Sequence, residues 1–137
     1  MRLGKATGAK LHVVKLFAVL HDSCRESDGH DPQHGLRAAD FAAELLRDGV
    51  FELSDKDFAL LYRACRDHTH KLTDDDVTVR TCFDADRLDL GRARITPEPS
   101  KLCTKIARDP STIRWAHGRA AMDFEPDFVA EVWRDCV

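Results

Sequence analysis

Residues 11–22 read LHVVKLFAVLHD. On a helix of 3.6 residues per turn, the apolar side chains of this segment surround the axis instead of forming one stripe. A helix that is apolar on most sides is typical of the centre of a domain. We therefore predict a central helix over residues 11–22, against which the other helices pack.

The rest of the chain also favours helices. Leu and Ala total 30 residues whereas Val and Ile total 12, and no segment alternates apolar with polar residues. The expected fold class is all-α, a helical bundle formed as one domain by residues 1–137. Further helices are predicted at 32–47 or 34–47, 54–69, 77–91, 101–108, 111–122 and 126–136, with a loop at 23–33 and a stiff, proline-containing connection at 92–100.

Composition excludes several classes of protein. The 21 basic and 24 acidic residues are interspersed, so no overall field attracts the chain to nucleic acid, which is not expected as a partner. No apolar run is long enough to span a membrane or to act as a signal peptide. The five cysteines form no C-x-x-C pair, which favours free thiols in a reducing compartment. We expect a cytoplasmic protein without a membrane partner.

Four predicted helices each direct an ionisable side chain toward the interior, near a helix end. His21 continues the apolar stripe of its helix, and the same spacing puts His34, His68 and Asp86 on apolar faces, with Asp22 beside His21. A single inward His is usually a hydrogen-bonded core residue, but several buried ionisable groups are costly unless they satisfy one another or bind a metal. Imidazole and carboxylate ligands suit a divalent cation such as Mn, Fe, Zn, Co or Mg.

These residues belong to the segments LFAVLHDSCR (16–25), HGLRAAD (34–40), DHTH (67–70) and DADRLD (84–89). In this order, the segments resemble the HD-domain superfamily of metal-dependent phosphohydrolases. The resemblance covers about residues 13–108 and leaves residues 109–137 without an assignment. It implies an HD-like helical bundle that hydrolyses a small phosphate ester, for which a nucleotide is one candidate.

The resemblance also implies roles for individual residues. His21, Asp22 and Asp86 would bind one divalent metal ion, and His34 and His68 would complete a second site. Asp22 or a nearby His would handle the proton of the reaction. Arg25 would hold the substrate phosphate, although an ion pair of Arg25 with an acidic neighbour, Glu26 or Asp28, has equal weight.

Asp86, and not Asp84, is the expected late ligand, because the family's ligand directly precedes the Arg-Leu pair. Helical periodicity agrees with this choice. It places Asp84 on the face of Arg80 and Leu88, which we expect to be less deeply inward than the face of Asp86.

The sequence departs from the family at one ligand. The superfamily's first ligand is a His on a helix well upstream of the His-Asp pair, and only His12 precedes His21 here. Nine residues apart on one helix, His12 and His21 face opposite sides. We expect either a chain that begins late or a reduced site. The alternative function is a catalytically reduced HD fold that acts as a binding or regulatory module, self-associated as a homo-oligomer through its uncovered apolar face.

Overall fold

The computed structural model describes residues 2–122, and all regular elements among them are helical, which confirms the predicted all-α fold. The predicted helix at 126–136 lies outside the described residues. The elements are α1 (Arg2–Thr7), α2 (Leu11–Leu20), α3 (His34–Arg47), α4 (Asp55–Asp67), α5 (Val77–Leu88), α6 (Lys105–Arg108) and α7 (Pro110–Ala121), with 3₁₀ turns at Asp89–Ala93 and Pro99–Lys101.

Helix α2 occupies the centre of the bundle, as predicted. It packs against α1, α3, α4 and α5, and it buries Val13 and Phe17 completely. One side of α2 remains open, because Ala18 is exposed. Ala18 therefore interrupts the buried apolar surface of α2, one turn before His21 at the helix end.

Capping side chains set the helix starts that the sequence suggested. The Ser54 hydroxyl accepts from the Asp57 amide at 3.2 Å and starts α4. The Asp76 carboxylate accepts from the Thr78 amide at 2.7 Å and starts α5. Because cap and helix are adjacent in sequence, these boundaries are local properties of the chain.

The sequence did not predict helix α1. It is six residues long and has no acidic residue in its first turn, so it lacks the signals by which a helix start is found. Tertiary contacts hold it instead. Leu3 is buried, and the Thr7 hydroxyl lies 2.8 Å from the Thr81 hydroxyl on α5.

Two predictions about the region around Asp84 are wrong. Asp84 is completely buried, whereas the side chain of Asp86 is 29 % exposed. The Asp84 carboxylate accepts from the Cys103 amide at 2.6 Å and from the Thr104 amide at 2.8 Å and hydroxyl at 2.6 Å. These bonds tie Cys103 and Thr104 to α5, the backbone is extended at Leu102 and Thr104, and the predicted helix at 101–108 is reduced to Lys105–Arg108.

Replacing Asp84 with alanine is expected to destabilise the fold by about 3 kcal/mol, because it leaves two buried amides and a hydroxyl without their acceptor. Thermal unfolding should show a melting temperature about 10 °C lower. Metal affinity in the folded protein should stay close to that of the wild type, since Asp84 faces residues 103–104. A melting temperature equal to that of the wild type would contradict this role.

The described part of the chain also shows the state of its cysteines and the character of its helices. Four of the five cysteines lie there, and Cys24, Cys65, Cys82 and Cys103 are all free thiols. Burial raises the pKa of Cys65 to about 12, so this thiol stays protonated. Among the described helices, none has the length and apolar character needed to cross a bilayer.

Candidate metal centre

Three histidines from three helix ends meet at one end of the bundle. His21 follows the last residue of α2, His34 begins α3 and His68 follows the last residue of α4. His34 and His68 are buried and His21 is half-buried, and the Nε2 atoms of His34 and His68 are 3.1 Å apart. The three helix ends at which the sequence predicted inward-facing histidines therefore lie next to one another.

Backbone carbonyls fix the tautomer of all three rings. Since a carbonyl oxygen only accepts, each Nδ1 must carry a hydrogen, so in the neutral ring the free electron pair lies on Nε2. Metal-binding histidines are commonly oriented by such a bond from the second ring nitrogen. The acceptors are the carbonyl oxygens of Phe17 for His21 (2.9 Å), Asp31 for His34 (2.5 Å) and Cys65 for His68 (2.7 Å).

Asp22 lies between the histidines. Its Oδ1 is 3.1 Å from Nε2 of His34 and 3.7 Å from Nε2 of His68. Its Oδ2 is 3.7 Å from Nε2 of His21, which is also 3.3 Å from Oδ1 of Asp86. The structure thus brings all five predicted metal ligands together, and the ligand atoms of His21, Asp22 and His68 all lie within 4.8 Å of one another.

The local charges keep Asp22 ionised. Burial raises the pKa of its carboxyl, but the nearby His68 imidazole and the charges of His21 and Arg25 outweigh burial and hold that pKa well below its usual range. For His21, burial lowers the pKa, yet hydrogen bonding to Asp86 and the charges of Asp86 and Asp22 raise it overall. The lowered pKa of Asp22 keeps its carboxylate ionised, and the raised pKa of His21 means that the local electrostatic field there favours positive charge.

The donor set fits a divalent cation. When both rings are neutral, the Nε2 electron pairs of His34 and His68 lie 3.1 Å apart with no hydrogen between them, an arrangement that a cation would relieve. Two ligand atoms on one zinc-like ion, each about 2.1 Å from it, lie about 3 to 3.5 Å apart. The His34–His68 distance of 3.1 Å and the His21–Asp86 distance of 3.3 Å meet that requirement, whereas Asp22 lies slightly farther, at 3.7 Å, from both His21 and His68.

Gly35 permits the close approach of α3 and α4, and the sequence analysis did not identify it. A Cβ atom at this position would lie 2.5 Å from the Cys65 carbonyl oxygen and 3.2 Å from Cε1 of His68. No real side chain tolerates the first distance. The sequence signal for this close approach was the pair His34–Gly35, in which a glycine, a residue that disfavours helices, follows a candidate ligand at the start of a helix.

Arg25 lies at the edge of the site. One of its terminal nitrogens is 3.5 Å from Oδ1 of Asp22, and the guanidinium also donates to the carbonyl oxygens of Ser27 and Gly29 at 3.3 and 3.4 Å. Within the described residues, its acidic contact is Asp22 and not Glu26 or Asp28. The side chain is 32 % exposed, so the guanidinium is accessible from solvent beside the carboxylate.

His12 and His70 lie outside the cluster. Nε2 of His12 is 2.7 Å from the Asp57 carboxylate on α4, so His12 does not supply a further ligand. Nε2 of His70 donates to the Pro32 carbonyl oxygen at 2.9 Å.

Comparisons of the chain with protein-family models, with curated proteins and with solved structures found no match. Function therefore has to be inferred from the chemistry of the site. What the site offers is an accessible Asp22, 44 % exposed, in front of two buried histidines, with a guanidinium beside it. Such an arrangement can bind a cation on its inner side and an anion on its outer side.

Proposed function

We propose that this protein is a divalent-metal-dependent phosphohydrolase of the HD type that acts on a small phosphate ester. The observation that carries the proposal is the convergence of three histidine Nε2 atoms and two carboxylates, supplied from α2, α3, α4 and α5, at one end of the bundle. The order of the His-Asp, His-Gly, Asp-His and Asp-Arg-Leu segments supports the same assignment.

The residues divide into two ligand groups. His21, Asp86 and Oδ2 of Asp22 would hold one ion, while His34, His68 and Oδ1 of Asp22 would hold a second. A bound divalent cation supplies Lewis acidity, which lowers the pKa of water and withdraws electron density from a phosphoryl oxygen.

The chain's own groups position the reactants. The Arg25 guanidinium, 3.5 Å from Asp22, would donate paired hydrogen bonds to the phosphate oxygens of the substrate. The ionised Asp22 carboxylate accepts a hydrogen bond from the attacking water and so orients it. His34 and His68 are only 3 % and 1 % exposed, so they form a wall that excludes bulk water from the inner side of the site.

The test is metal-dependent turnover. Protein stripped with a chelator is assayed for phosphate release from p-nitrophenyl phosphate, before and after adding Mn, Fe, Zn, Co or Mg. We expect no turnover without metal and restored turnover with at least one of these cations. Asp86→Ala should abolish the restored activity, whereas Asp28→Ala, in the exposed loop, should not.

Two results would count against the proposal. Turnover that survives complete removal of metal would contradict it directly. Metal bound in stoichiometric amount without turnover of any ester would favour the alternative, a catalytically reduced HD fold that serves as a binding or regulatory module.

A further inference from the structure

A groove of about 450 Å³ leads away from the metal centre. His21, Asp22 and Asp86 line one end of it, and Trp115 lines another part of its wall. Helices α1, α2, α5 and α7 and the 3₁₀ turn at Asp89–Ala93 all contribute to the wall. The volume lies within the range of about 300 to 1,000 Å³ that is common for small-molecule sites.

The open side of α2 forms part of this groove. Ala18 is exposed and Phe17 and Val14 lie beside it, while Ala85 and Leu88 of α5 contribute the facing surface. The exposed side of α2 at Ala18 and the candidate ligands His21 and Asp22 at its end therefore line the same groove.

The lining is hydrocarbon except for charged groups. Among the lining residues that the structure describes, none is Ser, Thr, Asn, Gln or Tyr. The polar side chains are the metal-centre residues, Asp89 with its partner Arg92 at 2.8 Å, and the two arginines Arg2 and Arg119. A sugar or a nucleobase placed along the groove would find side-chain partners only in these charged groups and the Trp115 N–H, whereas a hydrocarbon group can contact the apolar lining without losing hydrogen bonds to water.

Trp115 adds a broad apolar surface to the groove. Its side chain is 38 % exposed, and the guanidinium carbons of Arg2 and Arg119 lie 5.1 and 4.9 Å from the ring centre. These contacts hold the indole in place. Because these guanidiniums lie over the ring, a hydrocarbon chain or ring can contact the part of the indole that stays exposed, beside the apolar floor.

We propose that the substrate is a phosphate monoester of an apolar alcohol or phenol, with its phosphate at the metal centre and its hydrocarbon part in the groove. This inference rests on the proposed function. In the reaction, a water oxygen bonds to phosphorus and the bond from phosphorus to the ester oxygen breaks. The ester oxygen keeps the electron pair, takes up a proton and leaves as the alcohol, and phosphate remains.

The experiment compares alkyl chains of increasing length. Binding of methyl-, butyl-, hexyl- and octylphosphonate to the metal-loaded protein is measured by calorimetry, and kcat/KM is measured for the matching alkyl phosphates, for glycerol 3-phosphate and for AMP. Each added methylene should strengthen binding and raise kcat/KM about fourfold until the groove is filled. Equal values along the series, or a preference for glycerol 3-phosphate or AMP, would overturn the inference.

The two readouts separate this inference from the proposed function. Turnover with no dependence on chain length would leave a phosphohydrolase whose groove has another use. Phosphonate binding that strengthens with chain length, without turnover of any ester, would support the hydrocarbon site and contradict the hydrolase.

A matched pair of variants locates the effect. Ala18→Trp fills the groove from the exposed side of α2 and should lower the ratio of octyl- to methylphosphonate affinity at least tenfold. Ala59→Trp makes the same change at an exposed position of α4 outside the groove and should leave that ratio unchanged. Equal ratios in the two variants would show that the chain binds elsewhere.

Discussion

Replacing Asp22 with alanine is expected to lower the affinity for divalent cations by more than about 100-fold and to abolish hydrolysis. The reason is that both carboxylate oxygens face ligands: Oδ1 lies near His34 and His68, and Oδ2 near His21. Without Asp22, the buried histidines lose the negative charge between the two ligand groups. Metal titration by calorimetry and the phosphate-release assay measure the two effects.

The fold should survive this change, because the Asp22 side chain is 44 % exposed and forms no part of the core. Asp28→Ala, in the same loop, is the matched control and should behave as the wild type in both assays. Unchanged metal affinity in Asp22→Ala would show that the carboxylate is not a ligand.

Gly35→Ala is expected to destabilise the protein by about 2 kcal/mol and to weaken metal binding. The added methyl group would lie 2.5 Å from the Cys65 carbonyl oxygen, and relief of that clash requires the start of α3 to move away from the end of α4. This movement separates His34 from His68. Thermal unfolding of the metal-free protein and metal titration report the two consequences separately.

Gly118→Ala is the informative control, because it makes the same change inside α7. Nothing lies within 4 Å of a Cβ atom there, and alanine is the better helix former by about 1 kcal/mol. We therefore expect Gly118→Ala to stabilise the fold and Gly35→Ala to destabilise it. Stabilisation by both changes would mean that the approach of α3 to α4 is not tight.

Much of this architecture follows from local sequence signals. Ser54, Asp76 and Gly49 start or end helices through their own backbone and capping chemistry, so these boundaries could be predicted. The helical period also placed His21, His34 and His68 on interior faces. It could not show that those faces meet, since this depends on how the helices pack.

The sequence did not predict the burial of Asp84, the presence of helix α1 or the importance of Gly35, and the three failures have one physical cause. Periodicity gives the direction of Asp84 relative to α5, but burial depends on what covers that face, and residues 102–104 cover it from a distant part of the chain. Helix α1 depends in the same way on a contact between Thr7 and Thr81. Gly35 was missed because its importance lies in the distance between two helices.

We propose that the Nε2 atoms of His21, His34 and His68 are metal ligands. The most direct test is long-range nitrogen–proton NMR of the seven histidine side chains during a titration of metal-free protein with Zn²⁺. We predict Nδ1–H tautomers for these three rings and a shift of their Nε2 resonances on binding, while His12, His30, His70 and His117 remain unchanged. Nε2 resonances of the three histidines that do not respond to the metal would contradict the claim.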